Sequence, residues 1–539
     1  MYQRLHRLTI AAKLLVSIAL LQIPNKTFAQ QKDLSWEELR QSYQFPQWYT
    51  EARFGIWCHW GAQTEPEYGG GWYARHMYMQ NVGREEWGKA AYPYQVKTYG
   101  HPSQKGFKDV IHEWKAENLD TDALLKYFKS IGAKYFVALA NHHDHFDNFA
   151  STYHQWNSVN VGPKKDLIGL FEKSARKYNI PFGVSSHDDR FLSWWLPAFG
   201  ADTAGPYKGV PYDGRMTQAD GKGKWWDGLD PADLYGLPPE KRTPEYLESV
   251  KKNYVQRTEE LTTKYDVDML WFDGYGFPYG DYGKEVCTNF LNNQRKQGKS
   301  TAVIAGKFSN EPSTVKDIER GGATEILHYP WQGTLTFGSW FYKKDKPIRH
   351  NARTVIETLT DIMSKNGNLL LNVELLPDGT IPPDHKLILD TIGVWINRDS
   401  AAIYASKPWK IYGDNLGGGH AQKNLSEADL NEVKKQKTDD FNERTMASPA
   451  YPHDEVRFTT KGKDLYIFVL NPQAGPIEIP SLGRKSPYNQ QKVTAITALG
   501  SNKKIVFKQD NDKLQLVIPD SPADAYGKYT KVFKVQGVL

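Results

Sequence analysis

The sequence contains only two cysteines among its 539 residues, Cys58 and Cys287. One pair cannot build a disulfide framework, so the fold must depend on hydrophobic cores. Cys58 lies inside an apolar segment, which indicates a buried thiol. No segment beyond the N-terminus is long and apolar enough to span a membrane. No Gly-rich phosphate fingerprint follows the first predicted strand, which argues against an open dinucleotide-binding sheet.

An excess of charge of one sign is also missing. The formal charge is +6, but residues 1–29 hold four basic side chains and no acidic one, so the remaining chain carries only +2. A nearly neutral chain lacks the basic surface of a nucleic-acid-binding protein. Aromatic residues are abundant instead, with 17 Trp, 31 Tyr and 23 Phe. This richness suits a carbohydrate site, where rings stack on sugars, and equally a large aromatic core.

The N-terminus has the pattern of a signal peptide. Arg4 and Arg7 precede an apolar run at 8–21, and the small-residue pattern of a cleavage site ends at Ala29. The alternative is a membrane anchor, but the run is too short to span a bilayer comfortably. We therefore expect cleavage near Ala29, a periplasmic or secreted protein, and no membrane attachment afterwards.

From about residue 50 to 400, apolar strands alternate with amphipathic helices. The runs are nearly continuous, as expected for parallel strands covered on both faces. The helices include one predicted to start at Thr243-Pro244. This alternation predicts a (β/α)8 barrel of the TIM type. The predicted strands are at 54–58, 135–140, 182–185, 269–272, 302–305 and 369–373.

After residue 400 the pattern changes to alternating apolar and polar residues separated by turns, which predicts a C-terminal antiparallel β-sandwich. We therefore divide the chain into a signal peptide at 1–29, a catalytic barrel at 30–400 and a sandwich at 401–539. Residues 196–240 lack periodicity and predict a long loop on the active-site face. The polar segment 417–443 predicts an exposed loop. The sequence specifies no oligomeric state.

Active sites of parallel barrels lie at the carboxyl ends of the strands. Four predicted strands are followed by histidine or aspartate: His59, the segment 141–145, His187 and Asp273. Asp273 directly follows four apolar residues, and Gly274 leaves room for a ligand. Its alternative role is to cap the next helix. We favour catalysis, because a carboxylate at a dry strand end can attack an anomeric carbon and form a glycosyl-enzyme.

The cluster His142-His143-Asp144-His145 has two interpretations. His142 and Asp144 could hold a divalent metal, although a zinc site usually needs three ligands in fixed geometry. Alternatively, neutral imidazoles could bind sugar hydroxyls. The residues alone leave these two possibilities open.

Six motifs follow one another along the chain, at 54–61, 72–78, 142–146, 271–274, 364–372 and 393–396 with 402–404. Taken together, they resemble glycoside hydrolase family 29, the α-L-fucosidases, from about Phe54 to the end of the chain. The resemblance implies a retaining mechanism, a barrel followed by a β-sandwich, and no metal or other cofactor. It also implies that Asp273 is the nucleophile, that His59, His142 and His143 bind the sugar, and that Trp60 and Trp72 lie near it.

The sequence departs from the family pattern at three places. Gly71 stands where many members have Glu, Ser185-Ser186-His187 where many have Tyr, and Trp331-Gln332 where many have Trp-Glu. We expect His187 and Trp331 to contact the sugar nevertheless.

The family pattern does not identify the general acid of this chain, because a glutamate is missing at two of these places. A retaining glycosidase still needs a carboxyl about 5–5.5 Å from the nucleophile. Glu319 is our first choice, because other members place their acid in this region of the chain, and Glu325 is our second.

These observations predict an exo-glycosidase that removes terminal α-L-fucosyl residues, or related L-galacto-configured residues, from glycans. The partner would be a fucose-containing or related oligosaccharide. Two alternatives remain. One is a metal-dependent hydrolase that uses His142, Asp144 and His187. The other is a carbohydrate-binding protein on a barrel that has lost catalysis.

Overall fold

The computed structural model describes residues 32–80, 88–308, 311–344, 348, 350–416, 451–501, 504–520 and 529–539. The predicted signal peptide at 1–29 and the predicted exposed loop at 417–443 lie outside these residues. In the described ranges, none of the helices combines the length and the apolar content needed to cross a bilayer.

Eight parallel strands, each hydrogen-bonded to the next, close a barrel in chain order. Every residue of seven strands is buried, while the sixth is only partly so. Coverage on both faces explains the continuous apolar runs in the sequence. The strands are β1 (Phe54–Cys58), β2 (Phe136–Asn141), β3 (Phe182–Ser186), β4 (Met269–Phe272), β5 (Val303–Gly306), β6 (Val315–Glu319), β7 (Trp331–Thr336) and β8 (Gly367–Asn372).

Helices cover most of the barrel. The longest loop, between β3 and β4, contains the helix that begins after Thr243, whose hydroxyl accepts a hydrogen bond from the Tyr246 amide as predicted. The helices are α1 (Trp36–Ser42), α2 (Gln47–Thr50), α3 (Tyr73–His76), α4 (Gly88–Thr98), α5 (Phe107–Glu113), α6 (Thr121–Ser130), α7 (Leu167–Lys177), α8 (Phe191–Trp194), α9 (Pro231–Tyr235), α10 (Pro244–Lys264), α11 (Asp281–Lys296), α12 (Ala352–Ser364) and α13 (Pro383–Ile403).

The wall of the barrel is thinnest around β6. The described residues between β5 and β6, and between β6 and β7, form no helix. Strand β6 also pairs with β5 at only two positions, Ala305 with Val315 and Gly306 with Lys316. Residues 196–240, predicted as a long loop, contain short 3-10 turns and α9.

A polar network fills the interior of the barrel below the strand ends. Oε1 of Gln332 accepts hydrogen bonds from the hydroxyls of Tyr49 and Tyr135, at 3.3 and 3.1 Å. Its Nε2 donates to Oδ2 of Asp317 at 2.6 Å, and the indole of Trp271 donates to the same oxygen at 3.0 Å. The buried carboxylate of Asp317 therefore fixes Trp271, a side chain of the layer above it.

Antiparallel strands follow α13 after a connection of a few residues. One sheet has the order β13-β16-β11-β10-β9 and the other β12-β15-β14, so the prediction of a barrel followed by a β-sandwich is confirmed. The strands are β9 (Lys407–Asp414), β10 (Val456–Lys461), β11 (Asp464–Val469), β12 (Gly475–Ile479), β13 (Ala495–Ala498), β14 (Phe507–Gln509), β15 (Leu514–Ile518) and β16 (Lys531–Gln536).

The sheets are firmly joined to the barrel. The buried guanidinium of Arg457, on β10, lies 2.7 Å from Asp361 on α12. The indole of Trp395, on α13, donates to the carbonyl of Thr530 at 2.7 Å. Phe468 and Val532 of the larger sheet belong to the same hydrophobic core as the barrel helices. A buried charge pair and shared apolar contacts thus fix the two parts against each other.

Candidate active site

A cavity of about 280 Å³ opens at the carboxyl ends of the barrel strands. Its position follows from the fold, because side chains after successive parallel strands converge on one rim. Seven of the eight strands or the loops after them contribute. The lining residues include Trp57 and His59 from β1 and the turn after it, His142 and His143 after β2, His187 and Arg190 after β3, Asp273 and Tyr275 after β4, Lys307 after β5, Glu319 at the end of β6, and Trp340 after β7.

Asp273 is held between two cations. Its Oδ1 lies 2.7 Å from Nζ of Lys307, and its Oδ2 lies 3.2 Å from the guanidinium of Arg190. Burial by itself would raise the pKa of Asp273, but the positive charges beside it, that of Lys307 first and that of Arg190 to a smaller extent, hold it well below its usual value. Asp273 is therefore a carboxylate over the whole physiological range of pH, as a nucleophile must be.

Lys307 also joins Asp273 to Glu319. Its Nζ lies 2.7 Å from Oε2 of Glu319 as well as from Asp273. These two carboxylate oxygens therefore lie no farther apart than twice that distance, a limit that is compatible with the separation of about 5–5.5 Å in retaining glycosidases. Burial would lower the pKa of Lys307, but the two carboxylates raise it. Lys307 is a permanent positive charge between them.

Four histidines on the rim are electrically neutral. Burial lowers the pKa of His59 to about 3 and that of His143 to about 4, and it holds those of His142 and His187 well below the usual value. Neutral imidazoles offer one donor and one acceptor each. Such rings can bind hydroxyl groups without placing extra positive charge around Asp273.

Hydrogen bonds to the protein fix the orientation of three of these rings. Nδ1 of His143 donates to the carbonyl of His187, and Nδ1 of His59 lies 3.3 Å from the acceptor Oδ1 of Asn372. Nδ1 of His142 instead lies 2.9 Å from the amide nitrogen of Gln63 and accepts from it. The remaining ring nitrogens are thus acceptors on His59 and His143 and a donor on His142. Nε2 of His187 is buried, and no described residue pairs with it.

A buried charge cluster holds two of these loops from behind. Arg257 on α10 donates to Asp147 at 3.0 Å and to Asp188 at 2.7 Å. The other oxygen of Asp188 lies 2.6 Å from Nδ1 of His145. Because His145 follows β2 and Asp188 follows β3, the cluster fixes the two loops that present the histidines of the cavity.

The ligand atoms of two residue groups lie close enough to share an ion. Within the described ranges these groups are His59, His142 and His187, and His143, His187 and Asp273. Asp144 belongs to neither. It is buried, and its carboxylate accepts the amide hydrogen of Phe146 at 3.3 Å. The proposed metal set of His142, Asp144 and His187 therefore does not come together.

The structure brings most of the predicted site residues into the cavity but separates three of them from it. Trp72 lines the cavity with its ring centroid 4.6 Å from that of Trp194. The indole of Trp60 is buried and donates to the carbonyl of Leu376. Trp331 begins β7, at the opposite end of the barrel, and donates to the carbonyl of Lys365. Glu325 lines a separate groove against the C-terminal sheets. Trp60, expected near the sugar, and Trp331, expected to contact it, therefore do not line this cavity.

The structure explains why position 71 is a glycine. Its φ is 105°, in the left-handed region, and a Cβ there would lie 2.7 Å from the ring of Phe341. A glutamate at this position would be strained and would collide with that ring. The packing of Phe341 therefore accounts for the absence of a carboxylate at this point of the family pattern.

Three functional residues are missing from the sequence prediction: Lys307, Arg190 and Trp340. Lys307 directly follows Gly306, the last residue of β5, so the rule that identified Asp273 at a strand end could have found it. Arg190 ends a short 3-10 turn at Asp188–Arg190, and Trp340 lies on an irregular loop, so neither directly follows a strand.

Residues 19–401 match the family model described as Alpha-L-fucosidase. The chain is 25% identical to the tissue alpha-L-fucosidase of Homo sapiens over 528 residues, which cover 93% of this chain and 91% of that protein. It is 26% identical to the tissue alpha-L-fucosidase of Mus musculus over 403 residues, covering 70% and 75%.

Solved structures share the fold. A Thermotoga maritima alpha-fucosidase in complex with a mechanism-based inhibitor has a TM-score of 0.66 at 23% identity, covering 94% of this chain and all 100% of that one. The alpha-L-fucosidase isoenzyme 1 from Paenibacillus thiaminolyticus has a TM-score of 0.61 at 20% identity, covering 93% and 100%. The match to the family model spans most of the chain and includes the barrel that carries the cavity. This chain therefore belongs to the α-L-fucosidases, glycoside hydrolase family 29.

Proposed function

We propose that this glycoside hydrolase is a retaining exo-α-L-fucosidase in which Asp273 is the nucleophile and Glu319 the acid/base. The observation that carries the proposal is the pair of carboxylates held by one lysine, at 2.7 Å from each. The spacing suits attack by one carboxylate on the anomeric carbon and protonation of the leaving oxygen by the other. Asp273 and Glu319 are the acidic side chains among the described residues that line the cavity.

The proposed reaction has two displacements. In the first, an oxygen of Asp273 forms a bond to C1 while the glycosidic bond breaks and Glu319 gives its proton to the leaving oxygen. In the second, Glu319 takes a proton from water, the water oxygen bonds to C1, and Asp273 leaves. Negative charge thus passes from Asp273 to Glu319 and back. Lys307, in contact with both, neutralises that charge at each stage and needs no rearrangement to do so.

The sugar is recognised by the neutral histidines. His59 and His143 offer acceptors and His142 offers a donor, and L-fucose carries hydroxyl groups that can pair with each. L-fucose is 6-deoxy-L-galactose, so an L-galactoside presents most of the same groups. We propose a terminal α-L-fucosyl residue, or a related L-galacto-configured residue, of a larger glycan as the substrate.

The decisive test compares an aryl α-L-fucoside with an aryl α-L-galactoside, for the wild type and for Asp273→Asn. The wild type should cleave at least one of them. Asp273→Asn should lower kcat on the order of 10⁴-fold or more, because the covalent step is lost. Its circular dichroism spectrum should match that of the wild type.

The stereochemistry tests retention directly. NMR during the first turnovers should show the α anomer of the released sugar, and release of the β anomer would contradict a retaining mechanism. Sugar binding without turnover of any α-L-linked substrate would support the alternative of a binding-only barrel.

We further propose that residues 1–29 are removed and that the mature protein is periplasmic or secreted. The basic residues, the short apolar run and the small residues near Ala29 support this proposal. Mass spectrometry of the protein from fractionated cells should give an N-terminus near Gln30. An intact Met1 on protein recovered from the cytosol would contradict it.

A further inference from the structure

We propose that Tyr275 is the stacking platform for the sugar that carries the leaving oxygen. The ring would bind the pyranose that is linked to the terminal residue, by stacking on its apolar face of C–H groups. The inference rests on the proposed function, because it concerns the second sugar of the same substrate.

Tyr275 is unusual among the aromatic residues of its loop. It lines the mouth of the cavity two residues after Asp273, yet 61% of its surface is exposed. The two other rings of the loop are packed against the protein. Phe277 contacts Trp36, with ring centroids 5.3 Å apart, and the hydroxyl of Tyr279 donates to the carbonyl of Asp188 at 3.4 Å.

The backbone holds this exposed position. Gly274 and Gly276, on either side of Tyr275, have φ of 90° and 106°, in the left-handed region that favours glycine. A Cβ at Gly276 would meet nothing within 4 Å. Phe277 and Tyr279 therefore anchor the loop. At Gly276 the loop leaves open space, next to the largely exposed ring of Tyr275.

The ring stands next to the reacting groups. Nζ of Lys307, which contacts both Asp273 and Glu319, lies 5.9 Å from the ring centroid of Tyr275. The terminal sugar occupies the cavity, so the second sugar must lie at its mouth, on the side of the acid that protonates the oxygen between them. An aromatic ring there can cover the apolar face of that sugar and exclude water from it.

Arg190 supplies polar contacts at the same mouth. Its side chain is 42% exposed and its guanidinium lies beside Asp273. A flat aromatic surface and a group with several N–H donors that line the same cavity match a pyranose, which has an apolar face and an edge of hydroxyls. The favoured substrate is thus an oligosaccharide rather than a fucosyl group on a small leaving group.

The test compares two substrates that share the α-L-fucosyl group, of which only one carries a second sugar. One is α-L-fucosyl fluoride, which has none, and the other is whichever α-L-fucosyl disaccharide the wild type cleaves fastest, from a panel of (1→2)-, (1→3)-, (1→4)- and (1→6)-linked compounds. Tyr275→Ala should lower the ratio of kcat/KM for the disaccharide to kcat/KM for the fluoride by about tenfold, which corresponds to about 1.4 kcal/mol of lost contact. Tyr275→Trp should restore most of the ratio, since it keeps a flat ring.

Tyr153→Ala is the matched control, because Tyr153 is 50% exposed but does not line the cavity. An equal loss on both substrates would overturn the proposal, since Tyr275 would then act on the position of Asp273. An unaltered ratio would overturn it as well. If the wild type releases fluoride, the proposed hydrolysis stands whatever Tyr275 does; if it releases none from the fluoride and cleaves no disaccharide, the proposed function itself fails.

Discussion

Nζ of Lys307 lies 2.7 Å from Oδ1 of Asp273, and of the charges around this carboxylate it lowers the pKa of Asp273 the most. Asp273 directly follows strand β4 and Lys307 directly follows strand β5, so adjacent strands of the barrel set the distance between them. The ionisation of the proposed nucleophile thus depends on a residue from a neighbouring strand end.

Replacing Lys307 with Met should shift the pH dependence of activity. Without the positive charge the pKa of Asp273 rises, because burial then dominates. The acidic limb of kcat/KM against pH should therefore move to higher pH, and the maximum should fall by about 10²–10³-fold. Lys307→Arg keeps the charge and should keep the limb close to its original position. A limb that does not move in Lys307→Met would contradict this account.

Replacing Glu319 with Gln should make activity depend strongly on the leaving group. Without an acid, substrates with poor leaving groups should lose about 10²–10⁴-fold in kcat/KM. A dinitrophenyl fucoside, which needs little protonation, should lose far less. The control is Glu325→Gln, because Glu325 lies in a different groove. Equal losses for both leaving groups in Glu319→Gln would assign Glu319 another role.

Removal of metal ions should leave activity intact. In the cavity, Asp273 is engaged by Lys307 and Arg190, and Asp144 lies outside both groups of possible ligands. Dialysis against EDTA should therefore leave kcat within experimental error, with metal content followed by mass spectrometry. Loss of activity together with a stoichiometric metal, and recovery on adding Zn²⁺, would instead favour the metal-dependent alternative.

Replacing Asp317 with Asn should change how stability depends on pH. Burial raises the pKa of Asp317 to about 6 in the folded protein, above its ordinary value of 3.8. Between these values the folded state binds more protons than the unfolded state, so this carboxyl makes the protein more stable as the pH falls and less stable as it rises through 6. From about pH 7.5 to about pH 4.5, the wild type should gain about 2 kcal/mol relative to Asp317→Asn.

Denaturant unfolding at the two pH values measures that difference. Asp512→Asn, at an exposed position of the C-terminal part, controls for the simple loss of a carboxylate. A difference between wild type and Asp317→Asn that is the same at both pH values would show that Asp317 has an ordinary pKa in the folded state.

Strands with helices on their outer face were predictable from the sequence. The bounds 54–58 and 269–272 agree with β1 and β4, and four other barrel strands are shifted by one or two residues at one or both ends. Strands β6 and β7 were not predicted. Lys316 and Asp317 interrupt the apolar pattern of β6, and Gln332, Thr334 and Thr336 that of β7, because polar side chains fill this part of the barrel.

Part of the candidate site was likewise predictable from the sequence and part was not. Asp273, His59 and His187 were predicted because each directly follows a strand, where the geometry of the barrel dictates the position of a side chain. The sequence could not show that Lys307 contacts Glu319 as well as Asp273, since that depends on the register of β5 against β6. Nor could the sequence place Trp331 at the end of the barrel opposite the cavity, because β7 itself was not predicted.

The thin wall around β6 has a consequence for how the two carboxylates behave. Asp273 follows a strand that pairs with both neighbours along its whole length, whereas Glu319 ends a strand that pairs with β5 at two positions and with β7 at four. The described residues of the connections on either side of that strand form no helix. Backbone segments with few such bonds open more readily. In the proposed mechanism, the nucleophile would thus follow the more firmly paired strand and the proton donor would end the less firmly paired one. Looser pairing would let the donor follow leaving groups of different shape, while the geometry at the anomeric carbon stays the same.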